Sequence, residues 1–175
     1  TLSSSSAASD VYKRQSEGLV TAVAHGDKVT IIELNTETDF VAKNERFIAL
    51  ADKVLEAAAA VDADSVEAAL AAPAGDQTVA ELISDEAAII GEKVELRRVR
   101  TLSGDKFEIY LHKTSKDLPP QVGVVLVYTG DDAETARSIA QHISFANPTY
   151  LSRDDVPADE VEKEREIVTE ISRNE

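Results

Sequence analysis

The chain has 175 residues, 43% of them hydrophobic and 29% charged, a globular balance that disordered chains lack. Its 33 acidic residues against 18 basic ones leave a net charge of −15, which phosphate backbones repel, so sequence-independent nucleic-acid binding is disfavoured. No cysteine is present, which excludes a disulfide framework, a thiolate metal site and a cysteine nucleophile, and no apolar run is long enough for a membrane span. The predicted class is a soluble, cytoplasmic protein.

Leu19–Ala24 and Val29–Leu34 are β-type runs separated by His25-Gly26-Asp27, and Gly26 permits the positive φ of a hairpin turn. Thr36-Glu37-Thr38-Asp39 then offers capping hydroxyls and early acids for a helix start. Phe47, Leu50, Val54, Leu55 and Ala58 follow at helical spacing and define one apolar stripe to about Ala60. Asp64–Leu70 predicts a short helix closed by Pro73 and Gly75. Thr78-Val79-Ala80-Glu81 has capping-box form, and Gly91 stands where a helix C-terminus favours glycine.

Val94–Leu102 reads as a strand, Ser103-Gly104-Asp105 as a turn and Lys106–His112 as the return strand. A polar loop, Thr114–Pro120, precedes Val122–Tyr128, whose nearly continuous apolar run predicts a buried strand. Thr129-Gly130-Asp131 turns into a helix whose face is Ile139, Ile143 and nearby alanines, and Asn147-Pro148 ends it. Pro157 suits the first turn of a last helix, with Val161–Glu175 within it. Strands that pair mostly through hairpins, interspersed with helices, predict an α+β fold of antiparallel β-sheet backed by helices. Asp131 and Tyr150 are the candidate domain boundaries.

The three histidines show no metal-ligand spacing, and none of the seven glycines falls in a phosphate-cradling loop. No cofactor or metal is therefore expected. Carboxylate pairs occur at Asp131-Asp132, Asp154-Asp155 and Asp159-Glu160, but turns and helix starts account for them better than acid/base catalysis does. Arg97, Arg98 and Arg100 lack interleaved aromatics and suit ion pairs at a strand edge. The segment that stands out is Thr38-Asp39-Phe40-Val41, a bulky ring beside an acid at a first helical turn. Its ring could fold back as a staple on its own helix, or project as an aromatic anchor for a partner.

That segment lies within Asn35-Thr36-Glu37-Thr38-Asp39-Phe40-Val41-Ala42-Lys43-Asn44, which resembles the signature of the elongation factor Ts family. Ser16-Glu17-Gly18-Leu19-Val20, Ile90-Gly91-Glu92-Lys93, Leu96-Arg97-Arg98-Val99, Tyr110-Leu111-His112, Val122-Gly123-Val124-Val125, Ala140-Gln141-His142-Ile143 and Leu151-Ser152-Arg153-Asp154-Asp155-Val156-Pro157 extend the likeness in the family's order. The resemblance implies the family's core fold and a translation factor that exchanges GDP for GTP on the GTPase elongation factor Tu without covalent chemistry. It further implies that Asp39 and Phe40, flanked by Thr38 and Val41, enter a cleft near the GTPase Mg²⁺ site. Val122, Gly123 and His142 would press on the phosphate-binding side of the same domain. Elongation factor Tu is the expected partner, with no nucleic acid, membrane or small-molecule substrate, and a homodimer is left open.

Thr36 stands where some members of the family carry cysteine, with little effect expected, and the Thr114–Pro120 loop resembles the actinobacterial type. Ser5–Gln15 resembles the in-frame translation of a sequencing-library adapter, so residues 1–15 are set aside as a disordered artefact. Residues 16–130 are then the N-terminal subdomain of the core and 131–175 the start of its C-terminal part. The lack of any methionine predicts a start upstream, and the family's N-terminal helical domain and the rest of its core are expected outside this span. Two other classes compete with the exchange factor. One is an acidic interaction or dimerisation domain, and the other a small hydrolase using paired carboxylates.

Overall fold

The computed structural model describes residues 17–128 and 133–145, with side chains as far as Gln141. Its elements are β1 (Glu17–His25), β2 (Lys28–Thr36), α1 (Asp39–Ala42), α2 (Glu45–Ala60), α3 (Val66–Leu70), β3 (Pro73–Ala74), β4 (Gln77–Thr78), α4 (Val79–Ile90), β5 (Glu95–Ser103), β6 (Lys106–His112), β7 (Val122–Tyr128) and α5 (Ala133–Phe145). The expected α+β class with antiparallel sheets is what the chain forms. The predicted turns and caps after Tyr128 and Phe145, the last helix, the carboxylate pairs, residues 1–15 and both boundary positions lie outside the described residues.

β1 and β2 pair from Glu17↔Thr36 to His25↔Lys28, leaving a two-residue loop whose first member, Gly26, has φ 62°. A residue without Cβ takes that conformation at the least cost. β2 is the central strand, with β5 antiparallel on its other side. Alternation sorts the side chains to two faces. Leu19, Ile32, Leu34, Leu96 and Val99 face the helices and join Phe47, Leu50, Val54, Val79 and Leu82 in the main core. Val20, Val29 and Ile31 face the other way and form a second core with Val125, against which Phe107 and Ile109 pack.

The return strand predicted after Ser103 pairs elsewhere. β6 pairs with β7, from Lys106↔Tyr128 to His112↔Val122, and β5 is hydrogen-bonded only to β2 within its sheet. The connection is tied by the Gly104 N–H, which donates to Asp27 O at 3.0 Å, so the chain leaves β5 at the β1–β2 turn. It then crosses to the sheet's second face, where Phe107 and Ile109 find apolar cover. The β6–β7 face with Glu108, Tyr110, Val124 and Leu126 is covered by α5, and Arg137 Nη1 donates to Glu108 Oε1 at 2.9 Å. The layers therefore run helices, three-stranded sheet, hairpin, helix.

Several local expectations change in detail. The single helix expected from Thr36 is two: α1 is one turn, and Asn44 restarts the chain as the N-cap of α2, accepting from Arg46 N–H at 2.8 Å. Alanine at Asn44 is expected to destabilise the chain by about 1 kcal/mol, the ordinary worth of a lost cap, read as a lower urea midpoint at constant slope. The Pro73–Gly75 break is a miniature β3–β4 ladder, which sequence patterning did not signal. β7 is less enclosed than its apolar run suggests, since only Val124 and Val125 are buried. Among the residues of α5 with described side chains, the buried positions are Ala136 and Ala140, while Ile139 is exposed, because small residues let the helix approach the hairpin closely.

The expected caps of α4 hold. Thr78 caps α4 by accepting from Glu81 N–H, and Gly91 ends that helix with φ 83°. Two of the three arginines of β5 are ion-paired at the sheet edge, Arg98 to Glu33 and Arg100 to Asp64. No helix among the described residues is long and apolar enough to cross a membrane.

Candidate functional site

Four consecutive residues, Thr38 to Val41, divide into two that hold and two that project. Thr38 is the N-cap of α1, and its Oγ1 accepts from Val41 N–H at 3.4 Å. Val41 packs against the main core and Ala42 is fully buried, so the turn is anchored from beneath. Asp39 is exposed, and Phe40 has 72% of its surface in solvent. The staple alternative for this ring is therefore not realised. Its one described ring contact is with Lys43, whose Nζ lies 4.8 Å from the ring centroid.

The segment before this turn is held by a residue far away in sequence. Glu92 follows the glycine cap of α4, and its carboxylate takes three hydrogen bonds. Thr38 Oγ1 donates to Oε1 at 2.6 Å, Thr38 N–H to Oε2 at 3.1 Å, and Thr36 Oγ1 to Oε2 at 3.0 Å. Thr36 is thus one of the donors to this carboxylate. The Thr38 hydroxyl bond, opposed by partial burial and aided by Thr36 and the backbone, holds the Glu92 carboxyl below the ordinary glutamate value. A lowered folded-state value means a stabilisation fully present above the ordinary range and lost as the pH falls through the lowered value.

The second candidate segment begins at β7. Val122 is half-buried on the hairpin face covered by α5, the helix that carries position 142. The His142 side chain itself lies outside the described residues. Gly123 faces inward. A Cβ there would lie 2.4 Å from Val20 Cγ1, 3.2 Å from Ile31 Cδ1 and 3.3 Å from Leu111 Cδ2. Gly123→Ala is accordingly expected to cost about 1–3 kcal/mol by overpacking, seen as a thermal midpoint lower by roughly 2–12 °C.

The two segments meet the same end of the β1–β2 ladder. Gln121 Nε2 donates to Glu17 Oε2 at 3.4 Å, Glu17 is the partner of Thr36, and Thr36 is bonded to Glu92. Val20 N–H donates to Pro120 O at 2.8 Å, which fastens the loop before β7 to β1. Residues 37–175 match the family model described as elongation factor TS. The chain belongs to the elongation factor Ts family. The elongation factor Ts of Clavibacter michiganensis subsp. michiganensis is 68% identical over 159 residues, which are 91% of this chain and 58% of that relative. Those of Leifsonia xyli subsp. xyli and Tropheryma whipplei are 68% and 51% identical over 161 and 160 residues, again 91% of this chain and 58% of each relative. The chain thus spans well under two thirds of these members of the elongation factor Ts family.

Sequence patterning did not reveal that Glu92 bonds to this segment. Its signal was present but faint: an acid directly after a helix-ending glycine, 54 residues from the hydroxyl it binds. Among the described residues, no group of three or more His, Asp or Glu side chains is placed to hold a metal ion.

Proposed function

We propose that this chain carries part of a guanine-nucleotide exchange factor for elongation factor Tu, with Asp39 and Phe40 entering the GTPase near its Mg²⁺ and nucleotide site. The observation that carries this reading is the exposed Phe40 ring on a turn anchored through Thr38, Val41 and Ala42. A large aromatic that a chain exposes at the cost of solvation is the residue type that dominates binding hot spots. Membership of the elongation factor Ts family supports this choice of partner and an exchange step without covalent chemistry.

The mechanism follows from linkage. If this protein binds the nucleotide-free GTPase more tightly than the loaded one, GDP must in turn be bound more weakly in its presence by the same factor. Burying one phenyl ring supplies about 1.5–3 kcal/mol, or roughly one to two decades of affinity. Larger coupling requires further contacts, and Val122 and His142, with Gly123 setting the hairpin's approach to β1, are assigned that role. An interaction domain without exchange activity would use the same exposed ring.

Release of a fluorescent GDP analogue from elongation factor Tu separates the two readings. The test uses the chain alone and grafted into the matching span of the full-length Clavibacter michiganensis relative. Exchange predicts faster release with the graft. Complex formation with an unchanged release rate would leave the interaction-domain reading instead.

A further inference from the structure

Phe40 can act as a wedge only if the chain holds it in place. A one-turn helix has too few internal hydrogen bonds to be stable alone, so its geometry must come from outside. α1 has four residues, with Val41 and Ala42 fastened below. On its other side, Thr36 and Thr38, just ahead of Asp39, are fastened through Glu92. The Glu37 carboxylate is also near, accepting from Lys93 N–H at 3.5 Å, so the two segments cross-link in both directions.

We propose that Glu92 is the positioning residue of this site: its carboxylate ties Thr36 and Thr38 to the end of α4, so that the turn beginning at Asp39 presents Phe40 in its binding geometry before any partner arrives. The role rests on the exchange reading for its purpose but not for its structural content. Three donors converge on one carboxylate, at 2.6, 3.0 and 3.1 Å. Charge-assisted bonds of this kind are roughly twice as strong as neutral ones. Two of the donors, Thr38 Oγ1 and Thr38 N–H, belong to the residue that caps α1. The Thr38 hydroxyl therefore links Glu92 to Val41 N–H in series, giving its own proton to the carboxylate while receiving the amide. Removing the carboxylate frees that hydroxyl to rotate and uncaps the turn.

The expected consequence is a loss of competent conformers rather than of contact surface. If only a tenth of the molecules keep the turn in place, the half-saturating concentration for exchange rises about tenfold while the maximal rate stays near its starting value. The chain contains no tryptophan, so Phe40→Trp introduces a single indole at the site. Its fluorescence anisotropy reports local mobility without any partner.

The test compares Glu92→Ala and Glu92→Gln in the Phe40→Trp chain by anisotropy decay. The same Glu92 substitutions are made in the grafted full-length protein, with Phe40 intact, and read by GDP release. Folding of each is checked by circular dichroism. Faster local motion of the indole in the alanine variant, an intermediate value in the glutamine variant and a raised half-saturation support the inference. Unchanged indole motion in a folded glutamine variant overturns it, whatever the exchange assay gives. Faster indole motion with no exchange by the unsubstituted graft would remove the exchange reading and leave Glu92 as the holder of the turn.

Discussion

Phe40→Ala is expected to slow GDP release by the grafted protein about tenfold to a hundredfold and to leave the fold almost untouched. The range is the 1.5–3 kcal/mol of one buried phenyl ring, available only in the complex because the free chain exposes that ring. Within the free chain the ring's described ring contact is the Lys43 ammonium, and an exposed cation–π pair is worth about 0.5–1 kcal/mol. The thermal midpoint should therefore fall by no more than roughly 4 °C. Stopped-flow release of a fluorescent GDP analogue and a thermal melt on the same preparation check both halves. A melt lowered by far more than this, with release unchanged, would mean that the ring works for the fold and would sink the wedge.

Phe47→Ala should do the reverse. This ring is fully buried between the sheet and the helices, among Leu34, Leu50, Val54 and Val79. Truncation forfeits its transfer energy and leaves a cavity that a β-sheet on one side cannot easily close, a cost of about 3–5 kcal/mol. Domains of this size are stable by only about 5–15 kcal/mol, so roughly a fifth or more of the total is at stake. Equilibrium urea unfolding should show a sharply lower midpoint with an unchanged slope, and the thermal midpoint should drop by roughly 6–20 °C. Two phenylalanines seven positions apart thus separate function from folding. A loss of less than about 1 kcal/mol at Phe47 would contradict the packing of the main core.

The contrast between these rings marks what sequence patterning can and cannot read. Phe47 declares itself through the helical spacing of Leu50, Val54 and Leu55, and the β1–β2 register follows from one glycine and an alternating run. Both signals are local. The break at Lys43-Asn44 is local too, but it is written in a single cap side chain inside an otherwise continuous helical pattern. Strand partnership is different in kind. β5 and β6 look like a hairpin because only Gly104 and Asp105 separate them, yet Phe107 and Ile109 belong to the sheet's other face. Which apolar surface a strand covers is decided by the rest of the fold, not by its own spacing. The same holds for Glu92, whose donors sit more than 50 positions earlier and on another element. The resemblance marked Phe40 as a candidate anchor, but whether it lay inside or outside could be decided only by seeing Val41 and Ala42 take the core positions instead.

One property of the layering bears on how a partner would feel this surface. β2 is enclosed on both faces, with Ile32 and Leu34 on the helix side and Val29 and Ile31 on the hairpin side. The Phe40 turn issues from one end of that strand, and the β7 hairpin is seated on Val20 and Ile31 of the same ladder. The two outposts are therefore the jaws of a gauge whose opening is set by close-packed side chains, which resist compression. A GTPase gripping both would have to adjust its own cleft to that opening. On the proposed exchange reading, the adjustment would fall to the partner and not to this close-packed frame.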